Sequence, residues 1–230
     1  MENSLAQYLD AAVLVPEMKE SEAKEAIRHC IAHQTRTVCV RPCDLPMAVT
    51  LCQGTATEPI VVVAFPHGTN TPETKASETR ETIQAGAREV DMVANVSRIR
   101  SGDWDYVRKD IEAVATVTKE ATVPLKVILE TAFLNLEEIH QATLCAIKAG
   151  ADFVKTSTGF GPGGASEEAV RQMLKTSGGR IKVKASGGIR TIEQANTYLT
   201  MGVERLGVGF GSVEALCGNS GKPSPEGSSY

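Results

Sequence analysis

Two lysines occupy segments that otherwise read as buried strands: Lys155 in ADFVKTST and Lys184 in IKVKASGG. An unpaired ammonium is costly to bury, so a lysine in such a place either forms an ion pair or gives up its proton. If the two strands are neighbours and both side chains face one way, each ammonium disfavours the other and desolvation adds to the effect. One of them is then driven toward the neutral amine, which can attack a carbonyl carbon. Asp91, in EVDMV, is the carboxylate between apolar neighbours that answers them. It can relay a proton or orient the lysine pair, or it can close a salt-bridged triad that performs no chemistry. Both readings stay open on these residues alone. Lys126 and Lys182 come early in their strands and read as bottom-face or exterior charges.

The spacing of glycines joins these residues to a second candidate feature. Gly86, Gly150, Gly179 and Gly202 each follow a helical stretch and lead into a strand. Five residues on from each stand Asp91, Lys155, Lys184 and Gly207, which therefore share pleat parity and can all face inward. Gly159, Gly187, Gly188 and Gly207 end the last three strands, where loop N–H groups and a helix N-terminus form an anion seat and Arg190 can add charge. The stretch from Gly159 to Gly164 formally matches G-x-G-x-x-G, but the acid a dinucleotide site needs at the next strand end is replaced by Lys184-Ala185-Ser186. His29 and His33 stand four apart on a helix with Cys30 where a zincin needs glutamate, so they read as a solvated helix face and no metal site is expected. Cys39 faces inward by the same parity argument, as a small core residue or a pocket thiol.

Eight β-rich runs must position these groups: YLDAAVL, TVCV, IVVVAF, EVDMVANV, LKVILET, DFVKTST, IKVKAS and RLGVGF. Helical stretches separate them at about residues 20–33, 43–53, 72–85, 104–120, 135–148, 166–177 and 191–201. Alternation of this kind implies right-handed βαβ units and a parallel sheet. Eight such units in a 230-residue chain favour an α/β fold of the TIM (β/α)8 barrel type, with chemistry at the C-terminal mouth. Residues 1–217 form one barrel domain on this reading, and the Gly/Ser/Pro-rich stretch 218–230 forms a polar, mobile tail. A net charge of −4 with both signs interspersed offers no stripe for a nucleic acid backbone. No apolar run approaches the ~20 residues of a membrane span, and MENSLAQYLD carries no leader pattern, so a cytoplasmic protein is expected. Six cysteines without C-x-x-C pairs predict reduced thiols and no disulfides.

From about residue 8 to 217 the chain resembles the deoxyribose-phosphate aldolases, Schiff-base aldolases on a TIM barrel. The resemblance rests on VCV, VVAFPHG, EVDMV, LKVILET, ADFVKTSTGF, VKASGGIRT and the late RLG. It implies that Lys155 is the Schiff-base lysine, that Lys184 depresses its pKa and that Asp91 takes part in proton relay. It further implies that phosphate lies against Gly159, Gly187, Gly188, Ile189, Arg190 and Gly207, that Asp10 contacts the second lysine, and that a terminal tyrosine, here Tyr230, assists enamine proton exchange. The implied reaction is reversible cleavage of 2-deoxyribose 5-phosphate to glyceraldehyde 3-phosphate and acetaldehyde, without metal or organic cofactor, by a protein whose relatives often form homodimers. Two positions depart from the family pattern. Ala12 stands where a threonine is usual, and Phe210 stands where small hydroxyl residues are usual, which predicts added bulk and a weaker phosphate preference. A Schiff-base aldolase for another or non-phosphorylated aldehyde, and a non-catalytic phosphosugar-binding barrel, are the competing readings; retention of both lysines and Asp91 counts against the second.

Overall fold

The β-rich runs form eight parallel strands: β1 Leu9–Val13, β2 Thr37–Val40, β3 Glu58–Val63, β4 Val90–Val93, β5 Leu125–Ile128, β6 Phe153–Lys155, β7 Lys182–Ser186 and β8 Arg205–Gly209. In this computed structural model, which describes residues 4–218, each strand pairs with the next and β8 pairs back onto β1, closing the barrel. The helices that follow are α1 Glu20–Ala32, α2 Leu45–Cys52, α3 Pro72–Gln84, α4 Val96–Arg100, α5 Trp104–Glu120, α6 Leu136–Ala149, α7 Glu167–Ser177, α8 Ile192–Met201 and α9 Val213–Cys217. The expected TIM barrel is the observed one.

Helix boundaries follow from side chains that satisfy otherwise orphaned N–H groups. Thr71, Asn95, Asp103, Asn135, Ser166 and Thr191 each accept a hydrogen bond from the residue three places on, at the start of α3, α4, α5, α6, α7 and α8. Gly150 and Gly202 end α6 and α8 in the left-handed conformation that glycine adopts without a Cβ penalty. Along α5, Val107, Ile111, Val114 and Thr118 recur at helical spacing and form its buried face.

Several segments differ from the sequence expectation. EVDMVANV stops pairing at Val93 because the Asn95 side chain caps α4, a short helix hidden inside a run that reads as strand. LKVILET ends at Ile128, and Glu130 turns the chain with φ of 56°. The stretch 43–53 divides into a 3-10 turn, Pro42–Asp44, and α2.

Strand parity sorts the side chains into two compartments. Leu9, Ala11, Val13, Val38, Val40, Val61, Val63, Val90, Met92, Leu125, Val127, Val154, Val183 and Leu206 belong to the large apolar core shared with the helices. The alternate positions face the barrel interior, where Leu14, Cys39, Ile60 and Val62 form a small apolar cluster and the remaining space holds charged groups. No helix among the described residues is long and apolar enough to cross a membrane.

Candidate active site

Lys155 and Lys184 are direct register partners on β6 and β7, so their side chains leave neighbouring strands on the same face. Their ammonium groups meet on one carboxylate oxygen: Lys155 Nζ and Lys184 Nζ each donate to Asp91 Oδ2 at 2.8 Å. Lys184 also donates to Asp10 Oδ2 at 2.5 Å. The spacing of the four glycines had predicted that Asp91, Lys155 and Lys184 converge, and they do.

Below them lies a layer that the sequence reading did not place there. Lys126 is fully buried inside the barrel, not on its exterior. Its strand pairs with Asp91 in register, its Nζ donates to Asp91 Oδ1 at 2.8 Å, and it ion-pairs with Glu89. Early position in a strand does set the layer, two residues before Ile128, the partner of Lys155, but parity turns Lys126 inward. Arg205 reaches the same layer from β8, donating to Asp10 Oδ1 at 2.6 Å and to Glu89 Oε1 at 2.8 Å. Thr37 donates its hydroxyl to Asp10 Oδ1 at 2.9 Å. The signal for Glu89 and Arg205 was present in the sequence: each lies two residues before a position already assigned inward, Asp91 and Gly207. Lys182, by contrast, is exposed as expected, and its ammonium stands 5.4 Å from the Phe153 ring centroid.

The number of ion-pair partners sets the lysines of this cluster apart. Four cationic groups, Lys126, Lys155, Lys184 and Arg205, share three carboxylates, Asp10, Glu89 and Asp91. An uncompensated charge in so buried a site is strongly disfavoured, and the group with fewest partners sheds its proton first. That group is Lys155, which has a single carboxylate partner. Burial depresses its pKa below 10.5 and the adjacent Lys184 adds to the effect, both outweighing the pull of Asp91. For Lys184 and Lys126 burial acts in the same direction, but Asp10 and Asp91, joined by Glu89 at Lys126, outweigh it and hold both as ammonium. Burial raises the Asp91 and Asp10 carboxyls, yet the surrounding cations overcome it and keep both ionised. The arrangement makes Lys155 the most readily deprotonated lysine of the cluster, beside an ion-paired Lys184 and Asp91.

Lys155, Lys184 and Asp10 line a pocket with Ala12, Cys39 and Thr158. Gly159, Ser186, Gly187 and Gly207 line it as well. A side chain at Gly207 would collide with Ser186 and approach Lys184 Cε to 3.2 Å, so only glycine lets the β8 backbone pass this close. Burial pushes the Cys39 thiol up to about 12, with Asp91 contributing, so it remains an unreactive thiol beside the amine.

The predicted anion seat is only partly assembled in this pocket. Gly159, Gly187 and Gly207 line it, whereas Gly188 is exposed and Ile189 packs its side chain into the outer core. Arg190 is exposed, and its backbone N–H is taken up by Gln194 Oε1 at 2.8 Å as part of the cap of α8, which leaves its guanidinium as the group that could face an anion. Phe210 packs against the outer core and is absent from the pocket lining, which corrects the expectation of added bulk there. Ala12 does line the pocket, so the missing hydroxyl at that position stands. Tyr230 lies outside the described residues. Among the described residues no group of three or more His, Cys, Asp or Glu side chains is arranged to hold a metal.

Fold and site together define a parallel (β/α)8 barrel that brings two lysines and a carboxylate to a small-molecule pocket at the C-terminal ends of its strands. Residues 4–211 match the DeoC/LacD family of aldolases. The chain belongs to that family. It is 44% identical over 219 residues to deoxyribose-phosphate aldolase 2 of Bacillus licheniformis, covering 95% of this chain and 97% of that one. To the deoxyribose-phosphate aldolase of Thermoanaerobacter sp. it is 42% identical over 209 residues, covering 90% and 94%. Among solved structures it is similar to QR15, an aldolase, with a TM-score of 0.87 and 36% identity over 94% of this chain and 95% of that one.

Proposed function

We propose that this protein is a class I aldolase that cleaves 2-deoxyribose 5-phosphate reversibly to glyceraldehyde 3-phosphate and acetaldehyde. The observation that carries the reading is the single-carboxylate tether of Lys155 beside its register partner Lys184. Neutral Lys155 attacks the aldehyde carbon of the open-chain sugar, water leaves, and an iminium forms. The iminium draws electrons as the bond between the α and β carbons breaks, releasing glyceraldehyde 3-phosphate and leaving an enamine on Lys155. The Asp91–Lys184 pair hands on the protons that this cleavage and the later hydrolysis require, and Asp10 keeps Lys184 charged while it does so. The names carried by the relatives support the substrate.

In this reading phosphate rests against the backbone of Gly159, Gly187, Gly188, Ile189 and Gly207, with Arg190 supplying long-range positive charge. Tyr230 assists proton exchange at the enamine; deleting it is expected to slow turnover while leaving the melting temperature unchanged, and wild-type rates would refute the role. Six unpaired cysteines suit a cytoplasmic setting. A homodimer is the assembly we expect.

The direct test is peptide mass spectrometry after incubation with 2-deoxyribose 5-phosphate and borohydride, beside a Lys155→Met control. A reduced adduct on Lys155, absent from the control, is expected. An adduct that instead maps to Lys184 would overturn the assignment. A protein that traps neither the sugar phosphate nor acetaldehyde would be a phosphosugar-binding barrel without catalysis.

A further inference from the structure

Between β5 and α6 stands a buried carboxylate that the reaction steps above do not use. Glu130 holds φ of 56° and ψ of 60°, the left-handed conformation that a residue with a side chain adopts at a cost. Such strain persists where the surrounding structure enforces it, and it gathers at functional sites. Here the enforcement comes from both sides of the residue. The Leu129 N–H donates to the Lys155 carbonyl at 3.0 Å and the Thr131 N–H to the Thr156 carbonyl at 2.9 Å, so pairing with the chain of the reacting lysine continues across Glu130. The turn aims its side chain at the segment that follows β6.

A carboxylate is costly to bury unless hydrogen-bond donors meet it. Thr158 supplies them: its N–H lies 3.3 Å from Glu130 Oε1 and 3.2 Å from Oε2, and its hydroxyl donates to Oε2. Because an ionised carboxyl only accepts, the hydroxyl proton has a fixed direction, and the Thr158 oxygen is left to accept the Phe160 N–H at 3.0 Å. Gly161 completes the contact, since a Cβ there would stand 3.0 Å from the Glu130 carboxyl carbon. Residues 158–161 are thereby gathered onto one side chain. Thr158 and Gly159 line the reaction pocket, whereas Glu130 does not.

We infer that Glu130 is a positioning residue for the substrate: it fixes residues 158–161, and through them the Gly159 wall against which the phosphate-bearing half of the sugar lies. The inference rests on the aldolase reading above and adds to it a residue that sets binding of the intact sugar phosphate. Acetaldehyde, with two carbons, has nothing to place against Gly159 and reports on Lys155 by itself. The chemistry of the clamp also separates two substitutions. Glutamine offers Thr158 a single accepting oxygen and sets an amide NH2 where the second was, while alanine offers no acceptor.

The test compares, in the full chain, steady-state cleavage of 2-deoxyribose 5-phosphate with the rate at which borohydride captures acetaldehyde on Lys155. In Glu130→Ala, kcat/KM for the sugar phosphate is expected to fall about tenfold or more, chiefly through KM, while acetaldehyde capture stays within about twofold of wild type. Glu130→Gln should fall between the two, having kept one acceptor. Thr158→Val, which removes the hydroxyl from the other side of the clamp, should lose kcat/KM in the same way, and the double variant Glu130→Ala, Thr158→Val should be no worse than the poorer single, as partners in one contact are. An unchanged kcat/KM in Glu130→Ala would overturn the inference. So would equal losses in cleavage and in acetaldehyde capture, which would mean that Glu130 supports the fold or Lys155 and not the sugar-binding wall. Failure of the wild-type chain to capture acetaldehyde on Lys155 would instead remove the aldolase reading, and this inference with it.

Discussion

Lys155 is the one lysine of the interior cluster with a single carboxylate partner, and its chemistry depends on neighbours it does not touch. Removing Lys184 by Lys184→Met leaves three cationic groups for three carboxylates, and Asp91 then belongs more fully to Lys155. The Lys155 pKa should rise, because a repelling charge is lost and an attracting one is freed. The acidic limb of kcat/KM, which marks loss of the proton from Lys155, is therefore expected to move to higher pH by about one unit or more in the variant. A pH profile of unchanged position and reduced height would show that Lys184 acts only in later proton transfers. Lys155, Lys184 and Asp91 were legible in the sequence because charged residues interrupt runs of apolar ones at a shared distance from a glycine. Lys126, Glu89 and Arg205 were not, because they lie toward the strand starts, where a charge reads as solvent-facing unless parity is carried through every strand.

The elements around the site are held by a second buried pair. Lys75 on α3 and Asp110 on α5 meet at 2.6 Å with both side chains fully buried. Lys75 also donates to the Val93 carbonyl at 2.9 Å, and Asp110 accepts the Asn95 N–H at 3.3 Å, so the pair fixes the end of the strand that carries Asp91. Lys75→Met leaves the Asp110 carboxyl without its cation and should cost about 3–5 kcal/mol in a urea titration. The double variant Lys75→Met, Asp110→Leu should regain more than half of that loss; a double variant no more stable than the single would show that the backbone contacts, not the charge, matter. Strand number, helix number and parallel order were readable because α/β alternation is coarse and repeated. The ends of β4 and β5 were not, since Asn95 and Glu130 break off their strands through one side-chain cap and one left-handed residue inside runs of strand-like composition.

For the molecule as a whole, the interior cluster sets the response to acid. The folded-state pKa values of Asp10 and Asp91 lie below the ordinary 3.8, held there by lysine and arginine against the opposing effect of burial. Their stabilisation is fully present above 3.8 and is lost as pH falls from there toward the folded values. Glu78, Glu130 and Asp110 are raised by burial, so protonating them on mild acidification adds stability. The urea midpoint should thus fall steeply below about pH 4 as Asp10 and Asp91 are protonated; a midpoint that stays level from about pH 4 to 2 would contradict this account.

The sharing of carboxylates among the cations of the barrel interior also restricts how this sequence can drift. Losing Lys126 alone would free Asp91 to hold the proton on Lys155 more firmly, from a position one layer below the pocket. Losing Glu89 alone would take one carboxylate from both Lys126 and Arg205. A single change in the cluster therefore alters the charge balance at Lys155 even where the changed residue touches no substrate, and exchanging a cation and a carboxylate together is the change that preserves it. Positions a layer away from the substrate are thereby tied to the reacting lysine through the carboxylates they share.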